Sequence, residues 1–552
     1  MSALCRSTEN KPTMSATLEE SAPIAGVQES LPEGNATVPA PFERPTIVAD
    51  SVPRWLKASA GMTWMLVLSG SLLVYLAGRP LWPTDLWDHL NYGARILQTG
   101  TVPDTEPLMA VSAGVRMVNT AWLSQLGMEL LNRRWGLTAL QFSAALLAAG
   151  SLFLVSRLAM LRGQSVVAGV LAGLVYVRLN LHELQVIRPQ LAGLLLYCAV
   201  LNYGLQPLRG GRWQFLIWPV LFGLWANLHG SFVLGLLVLA VSVAGRFGDV
   251  LFRSRSLPVT LGDAEAWRGL LLLQLCAVAV LANPAGLLVY PEVLQFSANP
   301  NVESMFEWAP LTLRSVQGQW YAAAVLLTML ALKITPRRIR CGEVLLLVLT
   351  GALAAWSVRM LNWFAPVAGV VAGVHLVAGV RGLRARVQVQ DPSEPAVIWS
   401  LANAGLLWII VAITPFGTQL LRGVVPEESR LLSPATPIRT VEFLRGYQAI
   451  PRGLAFVPAE WSGYVMNRGP QSLRPLVNLH VHLMPEEVWK DYLRLIRGPA
   501  DWQTLMDEYG MNMAIVNKAE QPVLVKKIRE SADWKAEYED RQGIVFVRKR
   551  PV

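Results

Sequence analysis

Residues 60–90 read AGMTWMLVLSGSLLVYLAGRPLWPTDLWDHL. The first part is apolar without a break, and a helix rising 1.5 Å per residue needs about 20 such residues to cross a hydrocarbon core of about 30 Å. A membrane span is therefore predicted near 60–78. The run stops at Arg79–Pro80, and Asp85, Asp88 and His89 then follow among leucines and tryptophans. Their i, i+3, i+4 spacing puts them on one side of a helix. Whether that side is a site or a solvated edge depends on where the membrane places it.

The rest of the chain repeats the apolar pattern. Of 552 residues, 53% are hydrophobic and only 16% charged, against about 25% charged in soluble domains. Eleven spans are predicted, near 60–78, 136–156, 164–178, 187–205, 213–227, 230–246, 267–283, 319–333, 342–357, 360–380 and 396–416. Cys5, Cys198, Cys276 and Cys341 have neither disulfide-framework nor zinc-site spacing. The formal net charge of +10 would suit nucleic acid in a soluble protein. Here the basic residues cluster between spans, which argues for topology signals and no nucleic-acid partner. Residues 1–52 are rich in Ser, Thr, Pro and Glu and lack the basic and apolar regions of a signal peptide, so a disordered tail is expected.

The basic residues fall in alternate loops. Five such loops hold fifteen of them, among them Arg157, Arg162, Arg246, Arg253, Arg337, Arg338, Arg340, Arg381 and Arg384, whereas 284–318 contains only Arg314. The positive-inside rule then predicts a cytoplasmic N-terminus and an extracytoplasmic C-terminal region. Residues 79–135 become a long first outer loop, with helical spacing in LNYGARILQTG and NTAWLSQLGMELLNRRWG, and 284–318 a second. Trp82, Trp87 and Trp122 suit helices lying at the interface.

The unusual polar residues share that outer face. They are His182, Glu183 and Arg188 in LHELQVIRPQ; Asn227 and His229 in WANLHGSF; Asn283, Glu292, Glu303 and Glu307; and Arg359 and Asn362 in WSVRMLNW. Ionisable groups at membrane level are costly and usually functional. Each has a plainer reading: Asp85 and Asp88 as helix N-terminal charges, Arg188 or Arg359 snorkelling to lipid headgroups, His229 satisfying a turn. Agreement in sidedness favours a shared site.

Residues 430–552 are polar and read as a small α/β domain. Strands are predicted in GLAFVP, RPLVNL, MAIVN and IVFVRK, and helices in SPATPIRTVEFLRGY, MPEEVWKDYLRLIRG and DWQTLMDEYG. His480 and His482 in NLHVHL alternate with apolar residues as on a strand, which reads as exposed strand-end residues first and as a metal or ligand pair second.

Taken together, DLWDHLNYGARILQTGTVPDTEP, NTAWLSQ, IRPQ, ANLHGSF, ANPAG and AFVPAEWSGYVMNRG resemble the GT-C glycosyltransferases, multi-pass enzymes with an acidic first outer loop, here over roughly 60–550. The resemblance implies a bacterial inner-membrane protein, with a transmembrane GT-C-like region over 53–418 and an extracytoplasmic domain over 430–552. It implies a polyprenyl-phosphate sugar donor and membrane lipid as partners, and a divalent metal ion as the cofactor to test. Asp85, Asp88 and His89 take the catalytic positions, Arg188 and Arg359 the donor phosphate, and Asn119, Asn227, His229 and Glu307 the substrate. The D-x-x-D spacing differs from the adjacent or D-x-D pairs commoner in that family. A flippase for a lipid-linked intermediate and a non-catalytic scaffold remain the alternative readings.

Overall fold

The computed structural model describes Pro53 and residues 57–206, 211–383 and 395–551. The expected tail at 1–52 lies outside the described residues. Each of the eleven apolar stretches is helical: Ala60–Ala77, Leu137–Gly163, Val166–Leu184, Gln190–Gly204, Gln214–Leu228, Phe232–Ser254, Ala264–Ala279, Val316–Ile334, Cys341–Trp356, Leu361–Leu383 and Val397–Ala412. Fewer are membrane-spanning by length and composition. Among the described residues five are long and apolar enough, or six if Val397–Ala412 and Pro415–Arg422, bent by 89°, form one broken span. Gln190–Gly204, Gln214–Leu228 and Cys341–Trp356 are apolar but have 15, 15 and 16 residues. At 1.5 Å per residue they fall several ångströms short of a hydrocarbon core of about 30 Å. An apolar run identifies a helix; its length decides whether it spans.

Leu361–Leu383 is the centre of the bundle. Within its apolar window 83% is buried, against 39–61% for the other four long helices, as expected for a helix apolar all round. It packs on Val166–Leu184 through small residues. A Cβ at Gly369 would lie 2.6 Å from the Ala172 carbonyl oxygen, and one at Gly373 would lie 2.5 Å from that of Ala168. Such close backbone approach is how helices associate where lipid removes the hydrophobic drive between them.

The connection 79–135, expected as the first outer loop, forms two α-helices, Leu86–Thr99 and Trp122–Trp135. The C-terminal region carries a four-stranded sheet of β1 (Leu454–Phe456), β2 (Met511–Asn517), β3 (Trp534–Glu539) and β4 (Gly543–Arg548), ordered β1-β2-β4-β3. β1 and β2 are parallel, while β2–β4 and β3–β4 are antiparallel. Three of the predicted strands are present. RPLVNL is not a strand; it contributes one isolated bridge between Ala455 and Pro475. β3 was not predicted because Lys535, Glu537 and Glu539 make WKAEYE polar, which an edge strand tolerates. NLHVHL folds as a turn around the short 3₁₀ segment Val481–Leu483, and His480 is buried rather than exposed at a strand end.

This domain is clamped by two long connections, 79–135 and 284–318. From the first, Asn91 donates to the Gly463 carbonyl at 3.0 Å and Trp87 meets Tyr464 edge-on at 4.8 Å. From the second, Asn301 donates to the Val481 and Met484 carbonyls at 2.9 and 2.8 Å, and Trp489 donates to Ser304 at 2.9 Å. The space between bundle, loops and domain holds the site.

Candidate functional site

A cavity of about 320 Å³ opens there, and Asp85, His89, Asn119, Arg188, His229, Glu307 and Arg359 all line it. They come from the start of helix Leu86–Thr99, the loop before Trp122–Trp135, the connection Gln185–Pro189, the turn after Leu228, the second outer loop and the turn before Leu361. Positions 85 and 359 are far apart in sequence, and the bundle brings them to one place.

An ion-pair chain runs along the wall. The Arg188 Nε lies 2.9 and 2.8 Å from the two Asp85 carboxylate oxygens, and its Nη1 lies 2.8 Å from Glu307 Oε1. Glu183 stands 3.7 Å from the same Nη1. The second Glu307 oxygen accepts from Arg359, whose guanidinium lies 5.5 Å from the Trp308 ring centre. Glu307 thus bridges two guanidiniums. Burial works to raise the Asp85 carboxyl, but Arg188, His89 and Arg359 outweigh it and hold it below its usual range. At Glu307 burial is likewise outweighed, by Arg359 and Arg188. The Arg188 guanidinium, despite burial, is held charged by Asp85, Glu307 and Glu183.

Burial favours the neutral form of His89 and His229, and hydrogen bonding fixes the tautomer of both. The Ala121 N–H donates to Asn119 Oδ1, Asn119 Nδ2 donates to Gln125 Oε1, and Gln125 Nε2 lies 3.3 Å from His89 Nδ1. His89 Nδ1 must then accept, which leaves the hydrogen on Nε2. His229 Nδ1 accepts from the Ser231 N–H at 3.1 Å, with the same consequence. Burial is the main reason that His89 is lowered to about 4 and His229 to about 3, with Arg188 and Arg359 also lowering both.

Two expected site residues lie elsewhere. Asp88 does not line the cavity; it is fully buried against the C-terminal domain, where its Oδ2 accepts the Leu479 N–H at 3.2 Å. Burial pushes its carboxyl well above the usual range; the Leu479 N–H opposes this, and Asp85 adds to the rise. A Cβ on Gly463 would come within 2.8 Å of its Oδ1, so only glycine allows this approach. Nor does Asn227 line the cavity. Its Oδ1 accepts from Trp122 at 2.7 Å, and its Nδ2 donates to the Gly223 and Ala282 carbonyls at 2.7 and 2.9 Å. It fastens the first outer loop to the bundle.

Three lining residues were absent from the expected site. His480 and His482 arrive from the C-terminal domain, with His480 5.1 Å from the His89 ring and 5.7 Å from that of His482. Their pairing with apolar neighbours looked like a strand pattern, and only domain docking turns them inward. Glu292 was read as outer-face but given no role. It lines the cavity and makes no ion pair among the described residues. Burial raises its carboxyl, against an opposing pull from Arg116.

The divalent ion implied by the resemblance finds no matching ligand set. Among the described residues no group of three or more His, Cys, Asp or Glu is placed to hold a metal, and Asp85 and Glu307 already face guanidiniums. The residues do not fit the ion, and no step is routed through it.

Burial of neutral histidines sets a pH dependence. His480 and His482 are lowered by burial from 6.5 to about 3, and His89 to about 4. The unfolded chain therefore binds more protons than the folded one below pH 6.5, and stability falls as pH drops from there towards about 4. Asp88, whose carboxyl is raised, contributes with the opposite sign. Thermal unfolding should give a lower midpoint at pH 5 than at pH 7.5, and His480→Gln should flatten that slope; equal slopes would remove His480 from the effect. Asp88→Asn should fold normally, whereas Asp88→Ala leaves the Leu479 N–H buried without an acceptor, a cost of about 1–3 kcal/mol.

No protein-family model matches this sequence, and no curated protein matches it significantly. Solved structures do match in fold. The archaeal oligosaccharyltransferase AglB from Archaeoglobus fulgidus, in complex with an inhibitory peptide and a dolichol-phosphate, aligns with a TM-score of 0.53 at 10% identity, over 83% of this chain and 69% of that one. The Archaeoglobus fulgidus oligosaccharyltransferase tethered to an acceptor peptide gives 0.51 at 11% identity, over 89% and 74%. ArnT from Cupriavidus metallidurans bound to undecaprenyl phosphate scores 0.46 at 14% identity, over 89% and 98%. The chain thus shares the fold of the Archaeoglobus fulgidus oligosaccharyltransferase structures.

Proposed function

We propose that the chain is a membrane glycosyltransferase that moves a sugar from a polyprenyl-phosphate-linked donor to a hydroxyl or similar acceptor at the outer face of a bacterial cytoplasmic membrane. The observation that carries this reading is the bridge of Arg188 and Arg359 across Glu307 in one cavity of a GT-C fold. A phosphate accepts from guanidinium forks as a carboxylate does. Glu307 therefore marks the place where a donor phosphate would sit, and the phosphate would take over its two partners. The AglB structure with a dolichol-phosphate supports this kind of donor.

In the transfer the sugar C1–O bond to phosphate breaks, and its electron pair stays on the phosphate oxygen. Arg188 and Arg359 are placed to neutralise that charge. The acceptor oxygen bonds to C1 and gives its proton to a carboxylate. Asp85 is the carboxylate that the first-loop resemblance would choose, but its oxygens are held by Arg188 and its proton affinity is depressed. Glu292 has no ion pair among the described residues and a raised carboxyl, which suits a general base better. Asp85 then positions Arg188, and the Nε2 hydrogens of His89 and His229 are available to acceptor oxygens.

The test is reconstitution of the purified protein with a tagged polyprenyl-phosphate sugar and separation of the products. Transfer to an acceptor supports the reading. Movement of the intact lipid-linked sugar across the vesicle membrane without transfer would instead mark a flippase. The orientation has its own check: a reporter active only in the cytoplasm, fused after Val552, should be silent, because the positive-inside rule predicts the C-terminal domain outside. Strong activity would reverse the sidedness.

A further inference from the structure

A second, smaller cavity of about 220 Å³ is lined by Arg178, His182, Gln185, Gln317, Trp320 and Leu361, among others. It shares no lining residue with the larger one. Both lie at the same end of the bundle, since Glu183 beside His182 pairs with Arg188, and Met360 beside Leu361 lines the larger cavity.

Arg178 is the unusual member. It lies on Val166–Leu184, one of the five long apolar helices, and its side chain is exposed. It sits six residues before the helix end at Leu184, about 9 Å along the axis, so its long side chain can snorkel towards that end of the helix. It makes no ion pair among the described residues, and no carboxylate lines the cavity. A guanidinium on a membrane helix without an acidic partner is costly unless something else balances its charge. Its Cζ lies 3.9 Å from the Trp320 ring centre, on the neighbouring helix Val316–Ile334. That stack fixes the guanidinium plane and leaves the in-plane N–H groups available. His182 and Gln317 add hydrogen-bonding groups, and Leu179, Leu181 and Val316 supply an apolar wall.

A fixed cation, further hydrogen-bonding groups, no acid and an apolar wall near the end of a membrane helix are the chemistry of lipid phosphate recognition. We propose that this cavity is a second phosphate site, holding the phosphate of a lipid at the membrane face on which the larger cavity opens. The phosphate belongs either to a polyprenyl monophosphate or to an ordinary phospholipid. The proposal does not depend on the transferase reading.

The test uses the full-length protein and native mass spectrometry with three lipids: a polyprenyl monophosphate, phosphatidylglycerol and phosphate-free diacylglycerol. The wild type should retain one more phosphate-bearing lipid than Arg178→Gln or Trp320→Leu, with affinity at least tenfold lower in Arg178→Gln. Diacylglycerol should not bind there. The same difference is expected on an Arg188→Ala background, which keeps the larger cavity out of the measurement. Stronger retention of polyprenyl monophosphate would identify the carrier as the occupant, and stronger retention of phosphatidylglycerol a bulk lipid. Equal retention by the wild type and both variants, or equal competition by diacylglycerol, would overturn the site.

Discussion

Arg188→Ala should lose sugar transfer almost completely, with kcat/KM down by about 10³-fold or more, because in the proposed reaction Arg188 is one of two charges that face the leaving phosphate. It should also destabilise the protein. Arg188 is 14% exposed and its partners Asp85 and Glu307 are 18% and 26% exposed. Removing one member of a buried ion pair costs about 3–5 kcal/mol, since the partner charge is left uncompensated. Arg188→Lys separates the two effects. A lysine keeps the charge but has no planar fork to reach Asp85 and Glu307 together, so most of the stability should return while transfer stays low. Transfer assays beside thermal unfolding read both quantities. An Arg188→Ala protein that melts early yet transfers at the wild-type rate would show the residue to be structural only.

Glu292→Gln should lower kcat by about 10²–10⁴-fold, the usual cost of losing a general base, with little change in donor KM. Its signature is the pH profile. A base must be deprotonated, and burial raises the Glu292 carboxyl above 4.5. The wild-type rate should therefore climb with pH through that raised value and level off above it. Glu292→Gln should lose this acid limb, and Glu292→Asp should restore part of it. Asp85→Asn should behave differently: it frees Arg188 from its main partner, so donor KM should rise while the acid limb stays. If Asp85→Asn erased the limb and Glu292→Gln kept it, Asp85 would be the base after all. The two carboxylates are thus told apart by the shape of the profile rather than by loss of rate alone.

Some of this was legible locally. An apolar run of 15–27 residues has one way to satisfy its backbone away from water, so all eleven runs folded as helices. The short continuous apolar runs in MAIVN and IVFVRK likewise gave β2 and β4. Span number was less legible, because hydropathy does not report whether a 15-residue helix crosses a membrane or ends inside a bundle. β3 escaped because Lys535, Glu537 and Glu539 break its apolar residues with charge, which an edge strand tolerates.

The site divides in the same way. The sequence alone determined that acids, arginines and histidines cluster around particular connections, since charge and polarity at span ends are local properties. It could not determine which of them meet. Asp85, Asp88 and His89 look like one helical face, yet at 3.6 residues per turn Asp88 and His89 are about 100° apart. Docking of the C-terminal domain on helix Leu86–Thr99 splits the trio: Asp85 and His89 face the cavity, and Asp88 is buried against Leu479 and Gly463. The same docking brings His480 inward. Asn227 was turned to fastening by Trp122, more than a hundred residues earlier in the chain. Burial, ion pairing and proton affinity depend on neighbours that only long-range packing supplies. Tertiary structure alone therefore decided which carboxylate holds an arginine and which is free to take a proton.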